Sequence, residues 1–232
     1  MLGGFQLFAG DTPISLSTGS QRLLAVLALG GRTSTRVQVA GTLWPEASDE
    51  HAFACLRSSL ARLLSAERGL LTMSPGQLGL AGDVRVDLDE SRLLARRLLD
   101  GAQPTRPADT AATVVDVLSK ELLPGWYDDW VVFECEGWRQ LRLHALEALV
   151  DRLVVERRYG QAVVAALAAV SVDPLRESAR AVLIRVHLAE HNRSEAVREF
   201  DRYRQLLRRE LAVEPTPSLE ALLQEAHGVT PS

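Results

Sequence analysis

Residues 51–64, HAFACLRSSLARLL, carry a histidine, a thiol, two hydroxyls and two guanidinium groups. An arginine can bond guanine O6 and N7 with two N–H groups or hold a phosphate, and a serine can bond either. Taken as a helix at about 100° per residue, Phe53, Leu56, Leu60, Leu63 and Leu64 share one arc. His51, Ala54, Cys55, Ser58, Arg62 and Ser65 lie opposite, with Arg57, Ser59 and Ala61 on the flanks. Small residues on an outer face let a helix backbone approach base edges. The candidate reading residues are therefore His51, Arg57, Ser58, Ser59 and Arg62, with Arg62 placed for a base and Arg57 for a phosphate. An ordinary solvated helix face is the competing reading.

Such a helix must be held by other elements. GFQLFAG and TPISLS read as short strands joined by a turn at Gly10–Pro13. STGSQRLLAVLALGG reads as a buried helix, with a capping-type start at Ser17 to Ser20 and a stop at Gly30-Gly31. A second helix follows in STRVQVAGTLWP, stopped by Pro45, and Ser48 or Asp49 caps the third. LLTMSPGQLGLA then reads as a hairpin around Ser74-Pro75-Gly76, and VRVDL as a further strand candidate. Strands, three helices and a hairpin make the winged helix-turn-helix plan, whose third helix enters the major groove.

Weaker candidates surround that helix. Arg32, Thr33, Ser34, Thr35 and Arg36 fall at the expected start of the second helix, as a phosphate cradle or a plain N-cap. Gln77, at the hairpin tip, reads as a minor-groove or backbone contact or as a plain turn residue; Arg68 sits beside the hairpin, where it can pair with Glu67 in solvent. Trp44 reads as helix-end packing. Trp126, Tyr127 and Trp130 alternate with Asp128 and Asp129, which suits packing better than a basic-aromatic nucleic-acid platform.

From about residue 87 the pattern is helical, with breaks at Pro104, Pro107, Pro124-Gly125, Gly160, Pro174, Asn192 and Pro215–Pro217. Ala162, Ala166 and Ala169 recur as Ala196, Phe200 and Tyr203 after 34 residues. That period with small or aromatic residues is the tetratricopeptide pattern of paired helices. The second copy lacks the proline that follows the first, with Arg208 in its place, so its helix should run on towards Glu210. The expected fold is mainly α with a small β component, a winged helix over 1–86 and an all-α, tetratricopeptide-like domain over 87–232.

The chain has 232 residues and a net charge of -4. Residues 1–86 hold seven arginines against six acids, near +1, which leaves about -5 for the remainder. No apolar run reaches the ~18 residues of a membrane helix, and the N-terminus lacks the features of a signal peptide. A cytoplasmic protein is expected. Cys55 and Cys135 lack C-x-x-C spacing. His187 and His191 are four apart without the glutamate of a zinc-protease helix, and no phosphate-cradling glycine loop or nucleophile elbow occurs. Neither an enzyme nor a cofactor is expected.

TGSQRLLAVLALGGR, LWPEASDEHAFACLRSSLARL and GQLGLAGDVRVDL resemble the DNA-binding half of the SARP family of transcriptional activators. FECEGWRQLRLHALEALVDRLVVERRYGQAV, DPLRESARAVLIRVHLAEHNRSEAVREFDRYRQLL and ELAVEPTPSLEALL resemble the bacterial transcriptional activator domain that follows in it. The resemblance implies an OmpR-like winged helix binding direct repeats in double-stranded DNA at promoters of antibiotic-pathway genes. It also implies recruitment of RNA polymerase and pairing as a homodimer. The family continues with further arginines after the position of Arg62, where this chain has Leu63 and Leu64. A tetratricopeptide-like scaffold whose winged helix no longer binds DNA is the alternative that this departure raises.

Overall fold

The computed structural model describes residues 1–67, 69–100 and 111–228. Arg68, Pro104 and Pro107 lie outside them. The chain clusters into two compact units, Met1–Glu90 with Glu121–Gly137, and Ser91–Lys120 with Trp138–Ser232.

In the first unit, β1 (Phe8–Ala9) and β2 (Thr12–Pro13) pair antiparallel. The hairpin is where the sequence places it, but each strand is only two residues long. Gly3 and Gly4 take positive φ, which breaks the extended run. The first residues pair elsewhere: Gly3 N–H donates to Glu121 O at 2.7 Å, and Leu123 N–H to Met1 O at 3.0 Å.

Helix α1 (Thr18–Leu29) starts where the Ser17 hydroxyl accepts the Ser20 N–H, and closes at Gly30. Strand β3 (Thr33–Thr35) follows directly, then α2 (Arg36–Leu43). Thr35 and Gln38 form a reciprocal capping box at the start of α2. Helix α3 (Asp49–Ala66) begins at Ser48, whose hydroxyl accepts the His51 N–H, with Asp49 and Glu50 favourably in its first turn. Strands β4 (Leu71–Ser74) and β5 (Gln77–Leu80) form the hairpin; β3 completes an antiparallel sheet in the order β3-β5-β4. Gly76, at φ +79°, takes the left-handed position that the Pro-Gly turn requires. Leu23, Leu27, Leu43, Leu56, Leu63 and Leu78 are buried in this unit. Burying each leucine stabilises the unit by roughly 1.5–3 kcal/mol.

VRVDL is not a strand. Asp87 turns it into a helix start by accepting the Leu88 N–H, and α4 (Asp87–Leu99) begins there.

In the second unit the remaining helices are α5 (Ala111–Ser119), α6 (Asp129–Val155), α7 (Tyr159–Val172), α8 (Glu177–Ala189), α9 (Arg193–Leu211) and α10 (Pro217–Gly228). Helices α4 and α6 contribute residues to both units. The pairs α7–α8 and α9–α10 are the two tetratricopeptide-like repeats. All six repeat positions, Ala162, Ala166, Ala169, Ala196, Phe200 and Tyr203, are buried. Gly160 lies inside α7; the break falls at Arg157, which takes φ 58°. Helix α9 runs on to Leu211, as the missing proline predicts, and ends at a left-handed Ala212.

Polar groups fix this unit. Trp138 Nε1 donates to Lys120 O at 2.9 Å, and buried Arg142 to Ser119 O at 3.0 Å, so α6 holds the end of α5. Glu199, almost fully buried, pairs with Arg180 at 3.0 Å, and Arg180 lies 5.7 Å from the centre of the Tyr203 ring. The Tyr203 hydroxyl donates to Leu175 O at 3.0 Å. Burial, with help from the Glu177 carboxylate, pushes that hydroxyl up to about 12.

Candidate nucleic-acid interface

Helix α3 is 18 residues long, or about 27 Å at 1.5 Å per residue. It packs on α1 and α2 through Ala52, Leu56, Ser59, Leu60 and Leu63, all buried. Phe53 and Leu64 are half-buried at the edges of that contact.

The opposite face is open. His51, Ser58, Arg62 and Ser65 are exposed and share one stripe, with the half-buried Ala54 and Cys55 between them. Arg57 and Ala61 are exposed on the flank. Neither Arg57 nor Arg62 has an ion-pair partner among the described residues. Both guanidiniums therefore keep all their donors for an outside acceptor. The Ser58 hydroxyl donates to Ala54 O at 3.0 Å, which leaves its oxygen as an acceptor. His51 Nε2 lies 3.6 Å from Cys55 Sγ.

Ser59 is a correction. It is only 7% exposed, and its carbonyl accepts the Ser20 hydroxyl at 3.4 Å. Its position on the flank of the helical wheel falls against α1, so it faces the core and offers nothing to a groove.

The group around Arg32 is also rearranged. Thr33 and Ser34 do not start a helix, whereas Thr35 both ends a strand and serves as the N-cap of α2, the plainer of the two readings. All three form β3, with Thr33 opposite Gly79 and Thr35 opposite Gln77. The β-branched threonines favour this extended backbone, and β5 supplies its hydrogen-bond partner. Arg32 takes φ 74°, and its guanidinium donates to Ala81 O at 3.0 Å and Val84 O at 2.7 Å. It also meets Asp89 at 3.4 Å. The arginine thus clasps the loop after the hairpin. The phosphate cradle is replaced by the capping box, because Gln38 occupies Thr35 N–H, Thr35 Oγ1 and Ser34 Oγ.

Thr33 and Gln77 are exposed on neighbouring strands, lining a cleft of about 330 Å³ with Thr72 and Ser74. Arg36 comes beside the hairpin turn, its N–H donating to Gly76 O at 2.9 Å. Only the pairing of β3 with β5 makes that neighbour visible, since forty residues separate the two.

The aromatic run PGWYDDW has a structural place in the first unit. Trp126 stacks on Phe5 with ring centres 6.1 Å apart, and Trp130 meets Trp126 edge-on at 6.4 Å. Among the described residues no helix is long and apolar enough to cross a membrane.

Comparison with known proteins places the chain among transcriptional regulators. The family model of the bacterial transcriptional activator domain matches residues 85–226. The regulatory protein AfsR of Streptomyces coelicolor is 29% identical over 227 residues, covering 93% of this chain and 22% of that protein. AfsR of Streptomyces griseus is 27% identical, covering 97% and 24%. The chain thus spans about a quarter or less of the length of these curated relatives. Among solved structures, Mycobacterium tuberculosis EmbR, in complex with a low-affinity phosphopeptide, superposes with a TM-score of 0.66 at 20% identity. That match covers 97% of this chain and 63% of EmbR, and shows the shared fold.

Proposed function

The chain belongs to the bacterial transcriptional activator domain family, and from that premise we propose that it is a sequence-specific DNA-binding activator. The match bears out the resemblance to the SARP family of transcriptional regulators. The single observation that carries the DNA-binding reading is the outer face of α3. Two unpaired arginines stand there among small residues, on a helix held by its leucines. Arg62, on the open stripe, bonds a base edge. Arg57, on the flank, holds a phosphate. His51 and Ser58 contribute secondary contacts, and Thr33 and Gln77 meet the backbone from the wing sheet. Arg32 supports that sheet from inside.

In this reading residues 1–86 are the DNA-binding domain, and residues 87–232 serve pairing of two copies and contact with RNA polymerase. The protein works in the cytoplasm, at promoter repeats of a biosynthetic gene cluster. Selection of bound duplexes from a random pool tests it: a recurring motif is expected, and the Arg57→Ala/Arg62→Ala variant should lose it.

One observation favours a second reading. Helix α3 has no basic residue in its last turn, so phosphate neutralisation from it is small. A scaffold with a winged helix that does not bind DNA would show no salt-dependent affinity for any duplex.

A further inference from the structure

Two side chains of metal-ligand type stand together on the open stripe of α3. His51 and Cys55 are four positions apart, which sets them on one helical face. His51 Nε2 and Cys55 Sγ are 3.6 Å apart. A tetrahedral Zn²⁺ ion holds a thiolate sulfur at about 2.3 Å and an imidazole nitrogen at about 2.0–2.1 Å, which puts two such ligands about 3.6 Å from each other. The pair therefore already has the bite of a chelate. The backbone is fixed at both positions, because Ala52 and Leu56, the residues that follow the two ligands, are buried. Binding needs no movement of the helix.

Nothing else claims these two groups. Apart from their mutual contact, neither side chain has a partner among the described residues. His51 is exposed and Cys55 half-buried, so an ion reaches both from solvent. Comparable groups elsewhere are committed. Cys135 Sγ donates to Leu122 O at 3.1 Å, His187 Nδ1 meets Glu190 Oε1 at 3.1 Å, and His144 lies 3.4 Å from the Arg176 guanidinium. A thiolate with an imidazole suits zinc, whereas magnesium and calcium take oxygen ligands.

We propose that His51 and Cys55 form a two-ligand site for Zn²⁺ on the outer face of α3. The ion replaces the thiol proton: the S–H bond breaks, the proton leaves to water, and Zn–S and Zn–Nε2 bonds form without a change of oxidation state. No third histidine, cysteine or carboxylate joins them among the described residues, so water fills the remaining positions. Resting on the DNA-binding reading above, the site also gates that face. Ser58 and Arg62 lie about one and two turns beyond Cys55 on the same stripe. The ion and its waters project from a stripe of small residues and hold the helix off the base edges. Base reading suffers more than phosphate contact, which the added positive charge favours.

Cobalt titration of the reduced full chain without DNA tests the site independently of any operator. Co²⁺ bound to a thiolate gives a near-ultraviolet sulfur-to-metal band. That band should appear, Zn²⁺ should displace it, and excess Mg²⁺ should not. Cys55→Ser should abolish it, with Cys55→Ala as the second variant if the first does not fold. His51→Ala should weaken Co²⁺ at least about tenfold, the loss that even an outer-shell partner of a metal site causes. Cys135→Ser should leave the titration as in the parent. A missing band, a band that survives both Cys55 variants, or a titration unmoved by His51→Ala would overturn the proposal. Gating is read afterwards by a shift assay with and without Zn²⁺. The preference for the selected duplex over a mismatched one should fall in the parent and not in Cys55→Ser. An unchanged preference removes the gating and leaves the metal site standing. A chain that takes up cobalt but binds no duplex overturns the DNA-binding reading and not the metal site.

Discussion

Arg22 on α1 and Asp128, just ahead of α6, form an ion pair across 106 residues of sequence. The same guanidinium donates to Leu43 O at 3.2 Å, at the end of α2. One arginine therefore ties the segment 121–137 to two helices of the winged-helix unit. Arg22→Ala and Asp128→Asn should each cost about 1–2 kcal/mol, since both side chains are partly solvated and screening trims the pair. In a double-mutant cycle read by urea denaturation, the double variant should lose little more than Arg22→Ala alone. Fully additive losses would mean the pair contributes nothing as a pair.

The two arginines of α3 should separate in their effects on DNA. Arg62→Ala should relax specificity at one base position, at a cost of about 1–3 kcal/mol against the wrong base. Arg57→Ala should weaken binding to all duplexes alike and lower the salt slope by about 1. Titrations at several salt concentrations, with matched and mismatched duplexes, distinguish the two roles. If both variants bind every duplex as the parent does, α3 is not the reading helix.

Ser59 gives a packing prediction. A Cβ on Gly19 would stand 2.8 Å from Ser59 Oγ but 3.7 Å from its Cβ. Gly19 is the second residue of α1, so alanine gains only part of the ~1 kcal/mol it gains over glycine in a helix interior, and that contact offsets it. Gly19→Ala should then be near neutral alone and stabilising by about 0.5 kcal/mol in the Ser59→Ala background. Thermal melts of the three variants decide this. The Ser59→Ala chain should bind DNA like the parent.

Tyr203 should set the alkaline limit of the helical unit. Its hydroxyl, at 10.0 when unperturbed, is raised to about 12 by burial first and Glu177 second. The folded state thus holds the proton more tightly than the unfolded one. The stabilisation is fully present below pH 10 and is lost as pH rises towards 12. Tyr203→Phe should be less stable near neutrality, by about 1 kcal/mol for the lost bond to Leu175. It should also lose part of the alkaline dependence between pH 10 and 12. Denaturation midpoints at pH 8 and 11 measure this, and identical pH profiles for parent and variant would remove the assignment.

How much of this was legible depended on range. The capped starts of α1 and α3 and the Pro-Gly hairpin come from patterns within a few turns of chain, and the repeat from a spacing that recurs after 34 residues. Helical phase also placed the open stripe of α3 correctly. It misplaced Ser59 because a wheel position on a flank is buried or exposed according to which neighbour covers it. Here α1 does, through Gly19 and Ser20. Strand β3 escaped notice because three residues carry no periodicity, and only β5 turns Thr33–Thr35 into a strand.

The sequence by itself determined the order of elements, since caps, turn residues and apolar periods act on neighbours in the chain. It also set the chemistry available on α3. Only the tertiary structure decided that Arg32 spends its guanidinium on Ala81 and Val84 carbonyls while Arg57 and Arg62 keep theirs. Only it brought residues 121–137 to the N-terminal segment through Phe5 and Trp126, and to α1 through the Arg22–Asp128 pair. Those outcomes depend on contacts between residues tens of positions apart. Which partner meets a side chain is fixed by the packing of whole elements, and no local pattern encodes it.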